Sequence, residues 1–339
     1  MASAQQEWVE HVWYGESRAY WPLLPLSWLF AGVARARRIL FERGWLRSEA
    51  AGAPVVVVGN LTAGGAGKTP VTVWLANELQ ARGLRVGIVS RGYRGDIGRV
   101  PVAVTQTSDP QVVGDEPLMM AQRCGCPIVV HPDRRAAARL LVEQGVDVIV
   151  ADDGLQHYAL QRDYEILVVD GVRGFGNGRL LPAGPLREPP SRATAVQQIV
   201  INGSAQPKVL AELPATVSRH EFRLEPTAAR RLDGAEEKAL SDFAGQRVHA
   251  VAGIGNPRRF FDMLEGAGIS VEAHPLEDHA SLSAGALEFG AGETLLMTEK
   301  DAVKCRDVSL PDAWFVPVDV HGLDASWVDD IEQLARRKP

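Results

Sequence analysis

The sequence is poor in cysteine and lacks a second cysteine pair that could complete a metal site. Its three cysteines are Cys124, Cys126 and Cys305. The Cys-Gly-Cys spacing of the first two is too tight for a usual zinc pair. We therefore interpret all three as reduced, buried thiols of a cytosolic protein.

Long apolar segments and an excess of positive charge are also absent. The uncharged run from Ala19 to Ala34 is shorter than the ~20 residues that a spanning helix needs, and two prolines interrupt it. No basic region followed by a small-residue cleavage site indicates a signal peptide. The formal net charge is −6 and the isoelectric point about 5.8, so a nucleic acid is not an expected partner.

What the sequence does have is an ordinary globular composition. Hydrophobic residues make up 46% and charged residues 23% of the chain, which excludes a disordered protein. The length of 339 residues corresponds to about two domains. Nothing in the sequence demands more than a monomer.

The N-terminal segment is rich in tryptophan and arginine. Five of the eight tryptophans lie before residue 46, and a basic cluster follows the uncharged run. Aromatic rings beside arginines suit the interface of an anionic membrane leaflet. The alternative is a helical hairpin that packs on the core and turns its arginines to water. The residues concerned are Trp8, Trp13, Trp21, Trp28, Trp45, Arg35, Arg37, Arg38, Arg43 and Arg47.

Strands and helices alternate through the centre of the chain. The β-branched run Val55 to Val58 predicts a buried strand, and a helix is expected from about Pro70 to Arg82. The alternation predicts an α/β fold with a mostly parallel, doubly wound sheet. Further strands are expected at Leu84 to Val89, Pro127 to Val130, Val146 to Ala151 and Tyr164 to Val169, with helices at Asp115 to Arg123 and Asp133 to Gln144.

Two irregular regions interrupt this pattern. The segment from Asp170 to Pro190 holds five glycines and four prolines, which is typical of a functional or mobile loop. A stretch rich in Ala, Arg and Glu precedes a second αβ pattern that begins at Val248. We expect an N-terminal membrane-associating segment at 1–48, a kinase-type domain at 49–224, a linker at 225–246 and a smaller α/β domain at 247–339.

A glycine-rich segment between the first strand and its helix predicts a phosphate-binding P-loop. It reads Gly59-Asn-Leu-Thr-Ala-Gly-Gly-Ala-Gly-Lys-Thr-Pro70, with Thr62 where the strict pattern wants glycine. The glycines let backbone N–H groups turn towards phosphate oxygens, and the helix N-terminus adds its positive end. Lys68 is expected to reach the β- and γ-phosphates of ATP, and the Thr69 hydroxyl to bind Mg²⁺. The expected nucleotide-binding residues are Thr62, Ala63, Gly64, Gly65, Ala66, Gly67, Lys68 and Thr69.

Two carboxylates follow the apolar run that ends at Ala151. They are Asp152 and Asp153, in the sequence Asp-Asp-Gly. The carboxyl ends of parallel strands line the crevice in which ligands of such sheets bind. We expect at least one of the two aspartates to hold Mg²⁺, directly or through water. The alternative is an aspartate pair that begins a turn.

Several further motifs occur in an order that resembles one family. They are Ser90-Arg-Gly-Tyr-Arg-Gly95, Gly114-Asp-Glu-Pro117, Asp152-Asp-Gly-Leu-Gln-His157 and Arg179-Leu-Leu-Pro-Ala-Gly-Pro-Leu-Arg-Glu-Pro189. Together with the P-loop they are similar, in content and order, to the tetraacyldisaccharide 4′-kinase family. Each motif other than the P-loop is weak alone, whereas the ordered set is specific. The resemblance covers nearly the whole chain.

The resemblance implies an activity and a location. It implies γ-phosphoryl transfer from ATP to the 4′-hydroxyl of an acylated glucosamine disaccharide 1-phosphate, giving lipid IVA in lipid A biosynthesis. It implies Mg²⁺ dependence and a monotopic enzyme on the cytoplasmic face of the bacterial inner membrane. It also implies a P-loop NTPase-type domain joined to the smaller domain by a two-stranded linker.

The resemblance also assigns a catalytic pair. The catalytic aspartate of the family corresponds to Asp115, and its partner histidine to His279. An aspartate can accept the proton of the attacking hydroxyl, and a histidine can orient or polarise it. A helix N-cap is the alternative role for Asp115. Near His279 the chain departs from the family pattern. Leu276 and Glu277 stand where the family commonly has a Phe-Pro pair, and Ala280 stands where it often has a second histidine.

The irregular loop carries two more residues of the family motifs, Arg187 and Glu188. Arg187 is expected to pair with a phosphate through two hydrogen bonds. The alternative is a surface ion pair. Further residues expected to line the same crevice are Arg91, Tyr93, Gln156 and His157.

Two motifs of the second domain allow simpler interpretations. Glu299-Lys300-Asp301 follows a predicted strand, and it either reaches ATP or only begins a helix. Gly253-Ile-Gly255-Asn-Pro257 resembles a dinucleotide-binding turn, but Arg258 stands where the third glycine belongs. We interpret this segment as a tight turn.

Two other functions are open from the sequence. One is a soluble P-loop kinase for a small polar acceptor, with the N-terminal aromatic residues packed inside. The other is a P-loop switch ATPase whose hydrolysis drives partner binding. No water-positioning group or switch loop stands out in favour of the second.

Overall fold

The chain separates into two compact units. The larger comprises residues 7–223 and 320–339, and the smaller is built around residues 224–319. This computed structural model describes residues 4–15, 17–93, 95–276, 289, 293–305, 310 and 312–337.

The elements of the described residues are numbered in chain order. The strands are β1 (Val55–Gly59), β2 (Val86–Ser90), β3 (Val102–Val104), β4 (Ile128–Val130), β5 (Val148–Asp152), β6 (Tyr164–Asp170), β7 (Gln198–Asn202), β8 (Ser218–Pro226), β9 (Ala229–Arg231), β10 (Glu237–Lys238), β11 (Arg247–Ala252), β12 (Ser270–Pro275), β13 (Thr294–Thr298), β14 (Ala313–Val316) and β15 (Val318–His321). The α-helices are α1 (Ala4–Tyr14), α2 (Leu24–Glu42), α3 (Lys68–Ala81), α4 (Pro110–Val113), α5 (Asp115–Arg123), α6 (Arg134–Glu143), α7 (Pro207–Glu212), α8 (Pro257–Gly266), α9 (Glu299–Ala302) and α10 (Val328–Arg336).

Among the described residues, nine strands form the sheet of the larger unit. Their order is β15-β8-β7-β6-β1-β5-β2-β4-β3. Every neighbouring pair from β8 to β4 is parallel, and β3 is antiparallel to β4. The central strand β1 is buried along its whole length, as its uninterrupted valines predict for a parallel sheet covered on both faces. The predicted α/β, mostly parallel, doubly wound fold is confirmed.

The smaller unit has a sheet of its own, in the order β10-β9-β14-β13-β11-β12. Strands β12, β11, β13 and β14 run parallel, while β9 and β10 are antiparallel additions. Its core contains Trp314, Phe243 and Leu264. The second α/β pattern that begins at Val248 therefore forms a separate sheet with its own hydrophobic core.

The limits of the two units differ from the expected domain limits at two places. The segment expected as a linker contains β9 and β10, whose backbone pairs with the smaller sheet, as in Arg231 opposite Trp314. The final helix α10 belongs to the larger unit, because its residues Asp329 and Glu332 bind Arg82 at the end of α3. The chain crosses between the units within β8 and β15, which are neighbours in the larger sheet.

The N-terminal helices expose apolar side chains. In α2, Ser27 is the only side chain that is buried among the described residues, whereas Trp28 and Leu29 are each 66% exposed. Trp28 is therefore not packed inside a hydrophobic core, whereas Trp13 and Phe41 are partly buried. None of the helices in the described ranges has the length and apolar composition needed to cross a membrane. The exposed apolar residues of this segment are Trp8, Trp21, Leu26, Trp28, Leu29, Val33, Trp45 and Leu46.

The cysteines are free, but not all are buried. Cys124 and Cys305 lie in the interior, and Cys126 is partly exposed. The expectation of three buried thiols was wrong for Cys126, which lies in the short turn after α5 rather than within an element.

Candidate active site

The P-loop connects the end of β1 to the start of α3. Gly67 is the N-cap of α3 and has a φ of +97°, a left-handed conformation that favours glycine. Gly67 has no side chain that could cap the helix, and the first N–H groups of α3 carry the positive end of its dipole. Lys68 is the first helical residue, and the buried Thr69 follows it. The loop therefore has the backbone arrangement of an anion site.

The irregular loop from residue 171 to 189 contains no helix or strand and lies against the P-loop. The Ala63 N–H donates to the carbonyl of Pro185 at 2.7 Å, and the Arg187 N–H donates to the carbonyl of Leu61 at 2.7 Å. Thr62 forms an isolated antiparallel bridge with Leu186. The two hydrogen bonds that make up this bridge thus hold the two segments together, although more than 120 residues of sequence separate them.

Asp152 ends β5 and is buried. Its Oδ1 accepts a hydrogen bond from the Thr72 hydroxyl at 3.0 Å. Burial, together with the negative charges of Glu116 and Asp153, raises the pKa of Asp152 to about 7, despite the opposing effects of Lys68 and Arg134. Burial is the largest of these effects, so the Asp152 carboxylate is held in an environment that disfavours its charged form.

Asp153 follows Asp152 in the chain but differs from it in backbone conformation, in its partners and in the direction of its pKa shift. It has a φ of +47°, which is uncommon for a non-glycine residue, and it directly follows the last residue of β5. Its carboxylate lies 3.7 Å from Lys68 Nζ and 3.0 Å from Arg187 Nη1. Although burial alone would raise it, the pKa of Asp153 is held at about 2 by Lys68 and Arg187. Arg187 is thus paired inside the site and not at a remote surface.

A buried arginine that the sequence did not reveal fixes the turn between these aspartates. Arg134, the first residue of α6, donates to the carbonyl of Asp152 at 2.8 Å and to that of Asp153 at 2.9 Å. Burial lowers the pKa of Arg134, and the two aspartates oppose that effect. No local pattern marks this role, because the partners are backbone atoms 18 and 19 residues away.

Gln156 and Glu188 form a second set of contacts beside the ion pair. The Gln156 side-chain amide donates to the carbonyl of Asn60 at 3.2 Å and to Glu188 Oε2 at 3.2 Å. The Tyr158 hydroxyl donates to the other oxygen of the buried Glu188 carboxylate. These bonds join the loop after β5, the irregular loop and the start of the P-loop.

His157 is a neutral side chain in this environment. Burial, and then the charges of Arg134 and Arg162, lower its pKa to about 4. Its Nε2 is buried and has no hydrogen-bond partner among the described residues. His157 thus lies beside the charged groups of the site without contributing charge near neutral pH.

The start of α5 brings two acidic residues to the same region. Gly114, with a φ of +88°, is the N-cap of α5, and Asp115 is the first residue of the helix. The alternative of an N-cap role for Asp115 therefore does not hold. The next residue, Glu116, is close enough to Asp152 to raise its pKa.

The remaining expected residues are less closely connected. Arg91 and Tyr93 follow β2 and are exposed, and the Arg91 charge contributes to lowering the pKa of the buried Arg134. His279 lies outside the described residues, so its expected pairing with Asp115 stays a prediction.

The N-terminal helices are attached to both loops of the site. The Tyr14 hydroxyl contacts the carbonyl of Ala63 at 3.5 Å, and the Ser27 hydroxyl donates to the carbonyl of Leu180 at 2.8 Å. Arg37 donates to the carbonyl of Gln156 at 3.0 Å. Helix α1 therefore contacts the P-loop, and α2, which carries the exposed Trp28 and Leu29, contacts the irregular loop and the loop after β5.

In the smaller unit, the Glu299-Lys300-Asp301 motif begins α9. Thr298 is the N-cap, and its hydroxyl accepts from the Asp301 N–H. The buried Asp301 also accepts from the Gly253 N–H at 2.8 Å, which fixes the turn after β11. These contacts support the helix-start and tight-turn interpretations.

Comparison with known proteins gives a consistent result. The family model described as tetraacyldisaccharide-1-P 4′-kinase matches residues 19–336. A tetraacyldisaccharide 4′-kinase of Alkalilimnicola ehrlichii is 49% identical over 297 residues, which cover 88% of this chain and 87% of the relative. A tetraacyldisaccharide 4′-kinase of Pseudomonas putida is 44% identical over 331 residues, which cover 96% of this chain and 97% of the relative.

A solved structure has the same fold. The "apo" form of LpxK from Aquifex aeolicus in complex with ATP is similar with a TM-score of 0.73 and 28% sequence identity. The similarity covers 94% of this chain and 99% of that chain. The predicted resemblance is confirmed, and the chain belongs to the tetraacyldisaccharide-1-P 4′-kinase family.

Proposed function

We propose that the chain is an ATP-dependent kinase that transfers the γ-phosphoryl group to the 4′-hydroxyl of a tetraacyldisaccharide 1-phosphate. The product is lipid IVA, and the reaction belongs to lipid A biosynthesis. The observation that carries the proposal is family membership combined with an ordered P-loop whose Lys68 faces the carboxylate of Asp153. The acceptor is inferred from the names of the relatives, and the P-loop is the proposed site for ATP.

Lys68 and the loop backbone are proposed to bind the phosphates of ATP. The N–H groups at the start of α3 and the residues from Thr62 to Thr69 would surround these phosphates. Lys68 is 3.7 Å from Asp153, so its charge is held at the loop before nucleotide binds. A phosphate then competes with Asp153 for this ammonium group and gains charge neutralisation as the γ-phosphoryl group moves.

Thr69, Asp152 and Asp153 are proposed to hold Mg²⁺. All three offer the oxygen ligands that this ion prefers. Burial and the nearby charges of Glu116 and Asp153 raise the pKa of Asp152 to about 7, and a cation at this strand end would favour its ionised form. When bound, Mg²⁺ would neutralise charge on the phosphates. The protein itself fixes the turn between the two aspartates through Arg134.

Asp115 is proposed to accept the proton of the acceptor hydroxyl, with His279 as its partner. The left-handed Gly114 lets α5 begin at Asp115, beside the strand end that carries Asp152. A carboxylate fixed at a helix start loses little freedom when it meets a hydroxyl, which suits a general base.

Arg187, Glu188, Gln156, His157, Arg91 and Tyr93 are proposed to line the substrate crevice. Arg187 can exchange its bond to Asp153 for a bidentate contact with a phosphate group. Glu188 and Gln156 hold each other in place, and the exposed Arg91 and Tyr93 leave one side of the crevice accessible to an acceptor.

The N-terminal segment is proposed to bind an anionic membrane surface, which would place the enzyme peripherally at the cytoplasmic face of the bacterial inner membrane as a monomer. Exposed Trp28 and Leu29 can enter the interface, while nearby arginines meet lipid phosphates. Replacing both with serine should weaken binding to anionic vesicles at least about tenfold, since each buried side chain contributes roughly 1.5–3 kcal/mol. Val100→Ser, which alters an exposed valine outside this segment, is the matched control. Equal vesicle binding by all three proteins would remove the membrane role of α2.

A transfer assay tests the catalytic proposal. Purified protein in mild detergent receives γ-labelled ATP, Mg²⁺ and the tetraacyldisaccharide 1-phosphate, with Lys68→Ala in parallel. Label in the lipid with wild type only supports the kinase. Hydrolysis without labelled lipid would contradict the lipid assignment. A parallel reaction with small polar acceptors would then separate the alternatives, because label in an acceptor favours the soluble kinase and hydrolysis alone favours the switch ATPase.

A further inference from the structure

Two histidines and a glutamate come together on one face of the smaller sheet, in residues that the proposed kinase chemistry does not use. His249 lies on β11, and Glu272 and His274 lie on the edge strand β12. Glu272 is the register partner of His249, and His274 is two residues further along the strand. Because side chains two residues apart share a face, all three project from the same side.

The ligating atoms are close enough to share one ion. His249 Nδ1 is 2.9 Å from His274 Nε2 and 3.9 Å from Glu272 Oε1. One such atom from each of the three residues lies within 4.8 Å of the others. Ligands bound at zinc distances of about 2.0–2.1 Å in a tetrahedron lie about 3.3 Å apart, so the observed separations bracket that value.

A carboxylate is present in the position that orients a metal-binding histidine. Glu293 Oε2 lies 2.5 Å from His249 Nε2 and keeps the proton on that nitrogen. The lone pair of Nδ1 is then directed at His274 and Glu272. A histidine whose second nitrogen donates to a carboxylate is the usual arrangement around a bound transition metal.

The surroundings fit a shielded site with access to solvent. The Phe289 ring stacks on His249 at 4.3 Å and on His274 at 4.4 Å between ring centroids, which covers one side. His249 is buried, whereas the side chain of Glu272 is 39% exposed, so an ion can enter. Arg247 binds the other oxygen of Glu272 and leaves Oε1 facing His249.

We propose that His249, His274 and Glu272 form a site for one divalent transition metal ion of the zinc type, with Glu293 as a positioning residue and one position left to water. Imidazole nitrogens select zinc, cobalt or nickel over Mg²⁺. The alternative is a metal-free pair in which His274 Nε2 donates to His249 Nδ1. This inference is independent of the proposed function, because it concerns other residues and another class of ion.

Titration of the full-length protein with Co²⁺, in excess Mg²⁺ to occupy oxygen-donor sites, tests the proposal. Visible absorption reports four- or five-coordinate Co²⁺ with nitrogen ligands, and Zn²⁺ competition gives its affinity. The variants are His274→Gln, Glu272→Gln and Glu293→Gln. The control is His220→Gln, which alters a histidine paired with Asp324 in the larger unit.

The expected result is one Co²⁺ per chain, displaced by Zn²⁺. Glu293→Gln should weaken binding about 10–100-fold, as loss of an orienting carboxylate does. His274→Gln and Glu272→Gln should weaken it more, and His220→Gln should leave it unchanged. Absence of the Co²⁺ bands in wild type, or equal affinity in wild type and Glu293→Gln, would overturn the proposal. Circular dichroism of each variant checks its fold. Because the Glu293 side chain is half exposed, Glu293→Gln is expected to fold, and it tests the proposal even if His274→Gln does not fold.

Discussion

Two groups of buried charge flank the central strand β1, and they are balanced in different ways. On one side, Glu165 of β6 is paired with Arg192 at 2.6 Å and with Arg162 at 3.1 Å. All three side chains are largely buried. The hydrogen bonds to Glu165 raise the pKa of Arg192 although burial alone would lower it. Both oxygens of the Glu165 carboxylate are thus paired with arginines of the protein, although the buried Nη1 of Arg192 has no hydrogen-bond partner among the described residues.

On the other side of β1, Asp152 at the end of β5 and the adjacent Asp153 differ in how their carboxylates are balanced. Asp153 is paired with Lys68 and Arg187, while burial and two negative neighbours raise the pKa of Asp152 to about 7. A buried charge that the protein balances itself has a structural role. A buried carboxylate beside a P-loop can instead be balanced by a cation that binds there. The comparison therefore separates a structural ion cluster from a binding site on the same sheet.

Removing Lys68 should have the largest effect on activity. Lys68→Ala is expected to lower kcat for lipid phosphorylation by about 10³-fold, because it removes the fixed cation that meets the developing charge. Label transfer into the lipid measures this loss. Lys208→Ala, on the exposed surface of α7, is the matched control and should retain full activity. A kcat for Lys68→Ala within a few-fold of wild type would contradict the assignment.

The stability of two carboxamide variants sharpens the comparison directly. Glu165→Gln is expected to lower the free energy of unfolding by about 3 kcal/mol, since it leaves Arg192 and Arg162 buried without their carboxylate. Asp152→Asn is expected to change it by less than about 1 kcal/mol without Mg²⁺, since the amide keeps an acceptor for Thr72 and removes a crowded charge.

Urea unfolding at pH 7 measures both variants. Glu49→Gln is the control, because Glu49 pairs with Arg135 and Arg139 at the surface and should contribute no more than about 1 kcal/mol. If Asp152→Asn were as destabilising as Glu165→Gln, the β5 carboxylates would be a structural cluster too.

Replacing Asp115 should affect the chemical step more than nucleotide binding. Asp115→Ala is expected to lower kcat about 10²-fold, because Asp115 accepts the proton of the hydroxyl only in the transition state. The affinity for ATP should change little. Single-turnover transfer and equilibrium ATP binding separate the two quantities. A near-full kcat would show that another group accepts the proton.

His157 should make the protein sensitive to mild acid. Its pKa is about 4 in the folded chain against an ordinary 6.5. As pH falls below 6.5, the unfolded chain takes up the proton first, so stability decreases until pH 4 is reached. Above pH 6.5 the group contributes no pH dependence. His157→Gln should remove on the order of 1–3 kcal/mol of that decrease, measured by urea unfolding at pH 7 and pH 4.5. Equal losses in both proteins would contradict the shift.

The sequence predicted the parts of the site that depend on local pattern. The P-loop follows from glycines and Gly-Lys-Thr between a valine strand and a helix, and Asp152-Asp153 from their place at a strand end. Arg134, Glu116 and Tyr158 were missed because their contacts with the site are made across the fold. Glu116 lies within one of the quoted motifs and Tyr158 directly follows another, but the sequence does not show which partners they contact.

The same limit applies to the fold. The parallel sheet was predicted because its strands are apolar and long, whereas the three-residue β3 and the polar-ended β7 were not. Strands β9 and β10 lie in a stretch of Ala, Arg and Glu whose composition is that of a linker, and their pairing is set by β14. The return of α10 to the larger unit depends on Arg82 and on the packing of Trp327 against Trp74. These elements form because of tertiary contacts, and the local propensity of their residues does not predict them.

The position of the transferred phosphate tests the central claim most directly. The lipid product of a preparative reaction with ATP and Mg²⁺ can be examined by phosphorus–proton correlation NMR. The proposed function predicts one new phosphomonoester coupled to the proton on carbon 4′, absent with Lys68→Ala. A phosphate on any other hydroxyl, a diphosphate at position 1, or release of inorganic phosphate alone would contradict it.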